Sequence, residues 1–227
     1  YSADGRYIAS CSIDGECRLW NALAGSQVGL ISARISSIYF APNGASLTSA
    51  GNDGRVRVFS STIGQCQMVI RNHTWGSVSS VIIHPDGEYV IAGYHSGSIR
   101  IFDIQNGTLE KEFNDHKGRI HRLGTCGKVL ISASGDSSSR LYDLKDLGNQ
   151  TNARVSSTVL KGHTAAVLSC ALSKSNMIAT GSEDTTICFY KATKYFAQPS
   201  FTPNDILTEH RTPVTGLTFN DETHQLI

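Results

Sequence analysis

The stretch "KGHTAAVLSCALSKSNMIATGSEDTTICFY" (161–190) carries His163, Ser182 and Asp184. These are the residue types of nucleophilic hydrolysis, in which an imidazole takes a hydroxyl proton and a carboxylate orients the imidazole. That chemistry asks for more than three residue types. The serine should stand on a strained turn such as a GxSxG elbow, and donors should face the developing oxyanion. The sequence offers neither. The same trio also recurs as His116, Ser134 and Asp136, and an active site rarely occurs twice in one chain. P-loop, HExxH, EF-hand and GxGxxG patterns are absent, and "GTCGK" (124–128) has the wrong spacing to cradle phosphate. The sequence therefore assigns no catalytic residue, no metal ligand and no cofactor, and the trio needs another job.

The elements that carry the trio repeat along the chain. "SIDGECRLW" (12–20), "GNDGRVRVF" (51–59), "YHSGSIRIF" (94–102), "SGDSSSRLY" (134–142) and "SEDTTICFY" (182–190) are each a polar turn and an alternating strand that ends in an aromatic residue. The aromatics are Trp20, Phe59, Phe102, Tyr142 and Tyr190, spaced 39, 43, 40 and 48 residues apart. Asp14, Asp53, Ser96, Asp136 and Asp184 stand six residues before them. A further strand precedes each turn, as in "YVIAGY" and "MIATGS". DG or NG turns such as "HPDG" and "APNG" lead into several of these, and such dipeptides favour hairpins. Apolar strands such as "VSSVII" and "VLSCAL" come earlier still, and weaker ones such as "CQMVI" and "LEKEF" follow the aromatics. Four antiparallel strands every 40–45 residues or so are the pattern of a β-propeller blade.

With "KGH" at 161–163, then "SED" and a closing aromatic, the repeats resemble the WD40-repeat family. The resemblance implies an all-β propeller. The chain would supply a partial ring of about five and a half four-stranded blades from a seven-bladed or larger tandem propeller. The expected boundaries are a partial blade at 1–30, blades at 31–70, 71–113, 114–160 and 161–207, and a partial blade at 208–227. Tyr1 reads as the end of an innermost strand and Ile227 as the start of a second strand, so the chain is expected to be part of a longer protein. The resemblance also gives the trio its job, a hydrogen-bonded relay that pins two loops of one blade. It is carried by His163, Ser182, Asp184 and Tyr190, by His116, Ser134, Asp136 and Tyr142, and by Ser12, Asp14 and Trp20. The physics is sound, because a buried carboxylate must be paired and imidazole can donate at one nitrogen and accept at the other. The second and third blades lack a full set and are expected to depend more on apolar packing, with looser loops.

Composition agrees with a globular rather than a disordered chain. Of 227 residues, 40% are hydrophobic and 17% charged, with 21 glycines and 5 prolines, which suits short strands and tight turns. The net charge of +1 does not steer the chain toward nucleic acid or an anionic membrane. Arg18, Arg57, Arg100 and Arg140 are spread one per repeat rather than gathered into a patch. No apolar run reaches the length of a membrane span. The six cysteines form no CxxC pair, and most lie in apolar runs, which suggests small buried residues in a reducing compartment.

In the family, partners bind mainly on the face with the loops before the innermost strands. That makes Trp75, Arg34, Arg71, Lys117, Arg119 and Arg211 candidate contacts. The long insertion at 191–205 adds Tyr195, Phe196 and Phe201 as candidates, either for docking a partner or for folding back on a blade edge. The expected partners are other proteins, with no direct nucleic-acid binding, no membrane insertion and no small-molecule cofactor. The function expected is a non-catalytic scaffold in a larger assembly. "AGYHSGSIRIF" (92–102) is similar to segments of large ciliary and centriolar WD-repeat proteins, which points to an intracellular, cytoplasmic location at the cytoskeleton or cilium. A peptide or phosphopeptide reader and a nuclear assembly factor of the ribosome-maturation type are the alternatives.

Overall fold

The computed structural model describes residues 1–12, 14–32, 35–44, 46–60, 65–71, 75–148, 157–191, 196, 200–220, 223 and 225–227. Every regular element among them is a strand. They fall into two compact units, Tyr1–Asn114 and Asp115–Ile227.

In the first unit, β1 (Tyr7–Cys11), β2 (Glu16–Asn21) and β3 (Gln27–Ser32) form one antiparallel sheet. A second sheet is β4 (Ile35–Phe40), β5 (Ser46–Gly51), β6 (Arg55–Ser60) and β7 (Cys66–Arg71). A third is β8 (Val78–Ile83), β9 (Tyr89–Tyr94), β10 (Ile99–Asp103) and β11 (Leu109–Phe113). In the second unit, β12 (Ile120–Cys126), β13 (Val129–Ser134), β14 (Ser139–Asp143) and β15 (Ser157–Leu160) form the fourth sheet. The fifth contains β16 (Val167–Leu172), β17 (Met177–Ser182) and β18 (Ile187–Lys191). The short strand β19 (Ser200–Phe201) joins the fourth sheet, and β20 (Asp205–Leu207) completes the fifth. The pair β21 (Phe219–Asn220) and β22 (Gln225–Leu226) follows. The second to fifth sheets each run four strands in meander order, as a propeller blade does, and β19 adds a parallel strand to the fourth.

Packing follows from the sequence pattern. The second strand of a blade has neighbours on both faces, so β9, β13 and β17 are runs of apolar and small residues rather than strict alternations, and nearly every residue in them is buried. The closing aromatics Phe59, Phe102, Tyr142 and Tyr190 lie in the core, while Trp20 is half-buried. Cys17, Ile31, Ile35, Leu47 and Phe59 join the first sheet to the second. Ala50, Val56, Val81, Val90 and Phe102 help join the second to the third. Hydroxyls also cross between blades. Ser36 Oγ donates to Val78 O at 2.7 Å, and Ser169 Oγ to Val214 O at 3.3 Å.

The cysteines depart from expectation. Cys11 and Cys17 are directly opposed in the β1–β2 hairpin, with Cα atoms 4.2 Å apart, and form a disulfide. Cys66 is exposed and Cys126 half-buried, which leaves Cys170 and Cys188 as the buried thiols. The hairpin explains the bond. Its turn places residues equidistant from Asp14 across from one another, so two cysteines at 11 and 17 must meet.

Candidate functional site

The fourth and fifth blades build the same constellation from the same strand positions. His163 lies in the loop before β16, and Asp184 in the turn between β17 and β18. His163 Nδ1 lies 3.0 Å from Asp184 Oδ2, and Nε2 lies 2.8 Å from Thr180 Oγ1. The carboxylate can only accept, so Nδ1–H donates to it and Nε2 accepts from the threonine. Thr164 N, Thr186 N and Thr186 Oγ1 also donate to Asp184, at 2.9, 2.9 and 2.6 Å. In the fourth blade His116 Nδ1 is 2.8 Å from Asp136 Oδ2, and Nε2 is 2.6 Å from Ser132 Oγ. Lys117 N, Ser138 N and Ser138 Oγ complete the shell of Asp136.

The hydroxyl on the imidazole is therefore Thr180 or Ser132, not Ser182 or Ser134. Side chains two apart share a face of a strand, and the one a full step inside the blade reaches the ring. Ser182 Oγ instead donates to Ala166 O at 2.9 Å and accepts from Asp184 N at 3.1 Å. Ser134 makes the same pair of bonds to Gly118 O and Asp136 N. Both serines are fully buried. A nucleophile with no access to solvent, bonded to backbone and not to the histidine, cannot perform the attack that the residue types suggested. Tyr190 donates to Lys161 O at 2.9 Å, which ties the strand aromatic to the same loop.

Electrostatics follow from the shell. Burial pushes the carboxyl of Asp136 up, but the bonds from His116, Ser138 and Lys117 N–H outweigh it and hold the group far below the usual carboxylate range. For Asp184 burial again opposes, and Thr186, Thr164 N–H and His163 win. Burial pushes the Cys170 thiol up to about 12, which removes it as a nucleophile at neutral pH.

The turn beside each aspartate, and beside Ser96 in the third blade, contains a left-handed residue. It is Gly15, Gly54 and Gly97 in the first three blades, but Ser137 (φ 66°) and Thr185 (φ 70°) in the fourth and fifth. A residue with a Cβ is strained there, a β-branched one such as Thr185 more so. The two blades that hold the strained residue are the two that carry the histidine–aspartate tie. Space is close as well, since a Cβ on Gly118 would lie 2.5 Å from Asp136 N.

The first three blades use arginine instead. Arg57 forms a two-pronged pair with Asp53, at 2.6 and 3.3 Å. Arg18 contacts Glu16, and Asp14 at 3.5 Å. Trp20 Nε1 donates to Ser10 Oγ at 2.9 Å, so the hydroxyl partner is again two residues before the expected Ser12, whose Oγ accepts weakly from Asp14 N at 3.4 Å. In the third blade Ser96 cannot pair with Arg100. The guanidinium lies 4.6 Å from the Trp75 ring and 4.5 Å from the Tyr94 ring, and contacts Glu112 at 2.6 Å. Apolar packing is thus not the only tie in the second and third blades. Ser77 Oγ also reaches Asn52 O, and His95 N reaches Ser77 O. His73 lies outside the described residues.

Trp75 was a candidate anchor for a partner. It is half-buried against Phe102 (centroids 5.5 Å apart) and Tyr94, and it packs on the core of its blade. The buried arginine draws the ring down, because a cation with few partners gains from an aromatic face. The sequence signal was there in Tyr94 and Ser96, which stand where Ser134 or Ser182 and an aspartate stand in other repeats and leave Arg100 without the turn's carboxylate. Phe196 and Phe201 also turn inward, onto the core formed by Ile131, Leu160, Tyr190 and others. β19 pairs in parallel with β15, so Ser200 and Phe201 of the insertion lie on a blade edge. Arg71, Lys117, Arg119 and Arg211 are exposed and remain candidate contacts, while Arg34 and Tyr195 lie outside the described residues.

The chain matches a WD domain, G-beta repeat profile over 1–21, 25–60 and 154–191, and a Vps8 beta-propeller profile over 50–145. It is 28% identical over 191 residues to telomerase protein component 1 of Rattus norvegicus, covering 82% of this chain and 7% of that protein. It is 30% identical over 152 residues to eukaryotic translation initiation factor 3 subunit I of Culex quinquefasciatus, covering 59% of this chain and 46% of that protein. Cilia- and flagella-associated protein 52 of Bos taurus is 28% identical over 144 residues, 60% of this chain and 23% of that protein. The chain spans less than half the length of each of these relatives.

Proposed function

Since the chain carries WD40 repeats on propeller blades, we propose that it is a non-catalytic scaffold for protein–protein interactions within a larger assembly. WD-repeat proteins generally mediate such interactions. The observation that carries the proposal is that, among the described residues, the triad-like groups bond within their own blades, with both serines buried. Ser182, Ser134, Asp184 and Asp136 are all engaged inside their blades. What each such blade offers to solvent is a short loop on a rigid frame, and that is how binding surfaces are commonly built. Lys117 and Arg119 stand on such a loop before β12, and Arg211 on the loop that follows β20. The similarity to a cilia- and flagella-associated protein supports a cytoplasmic assembly at the cytoskeleton.

Cross-linking mass spectrometry on the full-length protein, purified gently from its native cell, tests this. A defined set of other proteins cross-linked to 114–119 or 208–213 is the expected result. Internal cross-links alone would sink the scaffold and favour a short-peptide reader.

A further inference from the structure

We propose that strand β3, the outer edge of the first blade, receives an extended segment of a partner protein by strand addition. The proposal rests on the protein-binding role above and names a site and a partner chemistry for it.

An edge strand presents unpaired N–H and C=O groups, and proteins usually guard such edges with charge, proline or a covering element. β3 reads Gln-Val-Gly-Leu-Ile-Ser and has neither charge nor proline. The outer strands of other blades are guarded. β11 carries Glu110, Lys111 and Glu112, β7 closes with Arg71, and β20 opens with Asp205. β3 also exposes two apolar side chains, Val28 at 44% and Leu30 at 50%, where β7 exposes one, Val69.

The fourth blade shows what fills such an edge. There β19 lies parallel to β15, with Val159 level with Ser200, Leu160 level with Phe201, and Lys161 N donating to Phe201 O at 2.9 Å. Val159 stands opposite Arg140 and Leu160 opposite Ser139. Leu30 stands opposite Arg18 and Ile31 opposite Cys17. Residues 30–31 of β3 are thus the positional equivalents of the pair that β19 covers. In the first blade, no described segment covers them.

Charge sets the rest of the partner. Directly opposed residues share a face, so Leu30 shares its face with Arg18. One arginine there faces two carboxylates, Asp14 and Glu16, which leaves a net negative end among the described residues. A parallel partner segment would place an aromatic or branched residue level with Ile31 and a Lys or Arg just after it. Main-chain bonds would supply affinity, and these two side chains selectivity.

The test replaces Leu30 with benzoylphenylalanine in the full-length protein, irradiates the native cells and maps adducts by mass spectrometry. The same probe at Leu109, on the charged edge β11, is the control. The proposal expects at least fivefold more adduct at Leu30, on another protein, within an extended segment that has an apolar residue followed by a basic one. Placing the probe at Val28 and adding Leu30→Asp should cut the yield at least fivefold with the melting temperature unchanged. Equal yields at Leu30 and Leu109 would overturn it, as would adducts to a second copy of this chain. If probes at Lys117 and Arg119 capture proteins while Leu30 does not, strand addition fails and the scaffold stands. If no position captures a protein, both fail.

Discussion

Asp184 and Asp136 do at the scale of single residues what a triad would have done in an enzyme, but for the loops and not for a substrate. Each collects donors from two loops and a histidine. Asp184→Asn would keep the shape and set an NH2 against some of those donors, which should cost roughly 2–3 kcal/mol, read from the urea midpoint. Thr180→Val should cost about 1 kcal/mol, because it removes the hydroxyl that reaches His163. The pH dependence has a definite sign. Both carboxyls titrate lower in the folded chain than their ordinary 3.8. The stability they contribute is complete above that value and is lost as pH falls from it through the folded values. A melting curve taken from pH 6 to 2 should therefore fall steeply below pH 4 or so, and Asp184→Asn should flatten the drop. Strain offers the opposite change. Thr185→Gly should stabilise by about 1 kcal/mol, since the threonine sits at φ 70°.

Among elements, the strand pattern was largely open to reading and the side-chain partners were not. The closing aromatics and, in several repeats, the hairpin dipeptides mark the all-β repeat, because a period of two and a fixed turn chemistry act locally. The imidazole's partner was misplaced by two residues, since strand periodicity gives the face but not the depth to which a ring reaches. Trp75 looked like an exposed anchor because its loop is polar. Its burial depends on Arg100, 25 residues away in the chain. β19 has two residues and no alternation, so nothing local marks it. The Cys11–Cys17 bond was legible from hairpin symmetry about Asp14. Trp75→Ala should cost about 2 kcal/mol or more, from lost burial plus the cation–π contact. Hydrogen exchange should show the loss in β10 first. Phe201→Ser should free β19 and speed amide exchange at Val159–Lys161, with β12 to β14 still protected.

For the whole molecule, the proposal is a frame whose titratable groups hold it together and whose loops meet partners. Charge reversal on the loops should then separate binding from stability. Lys117 and Arg119 have exposed side chains, although Lys117 N–H serves the aspartate tie, so Lys117→Glu with Arg119→Glu leaves the backbone bond in place. The deciding measurement is quantitative affinity purification of the full-length protein from its native cell, wild type against this double variant, with melting temperatures taken alongside. The account predicts at least tenfold depletion of a defined set of proteins at an unchanged melting temperature. An identical set of partners at full occupancy would contradict it.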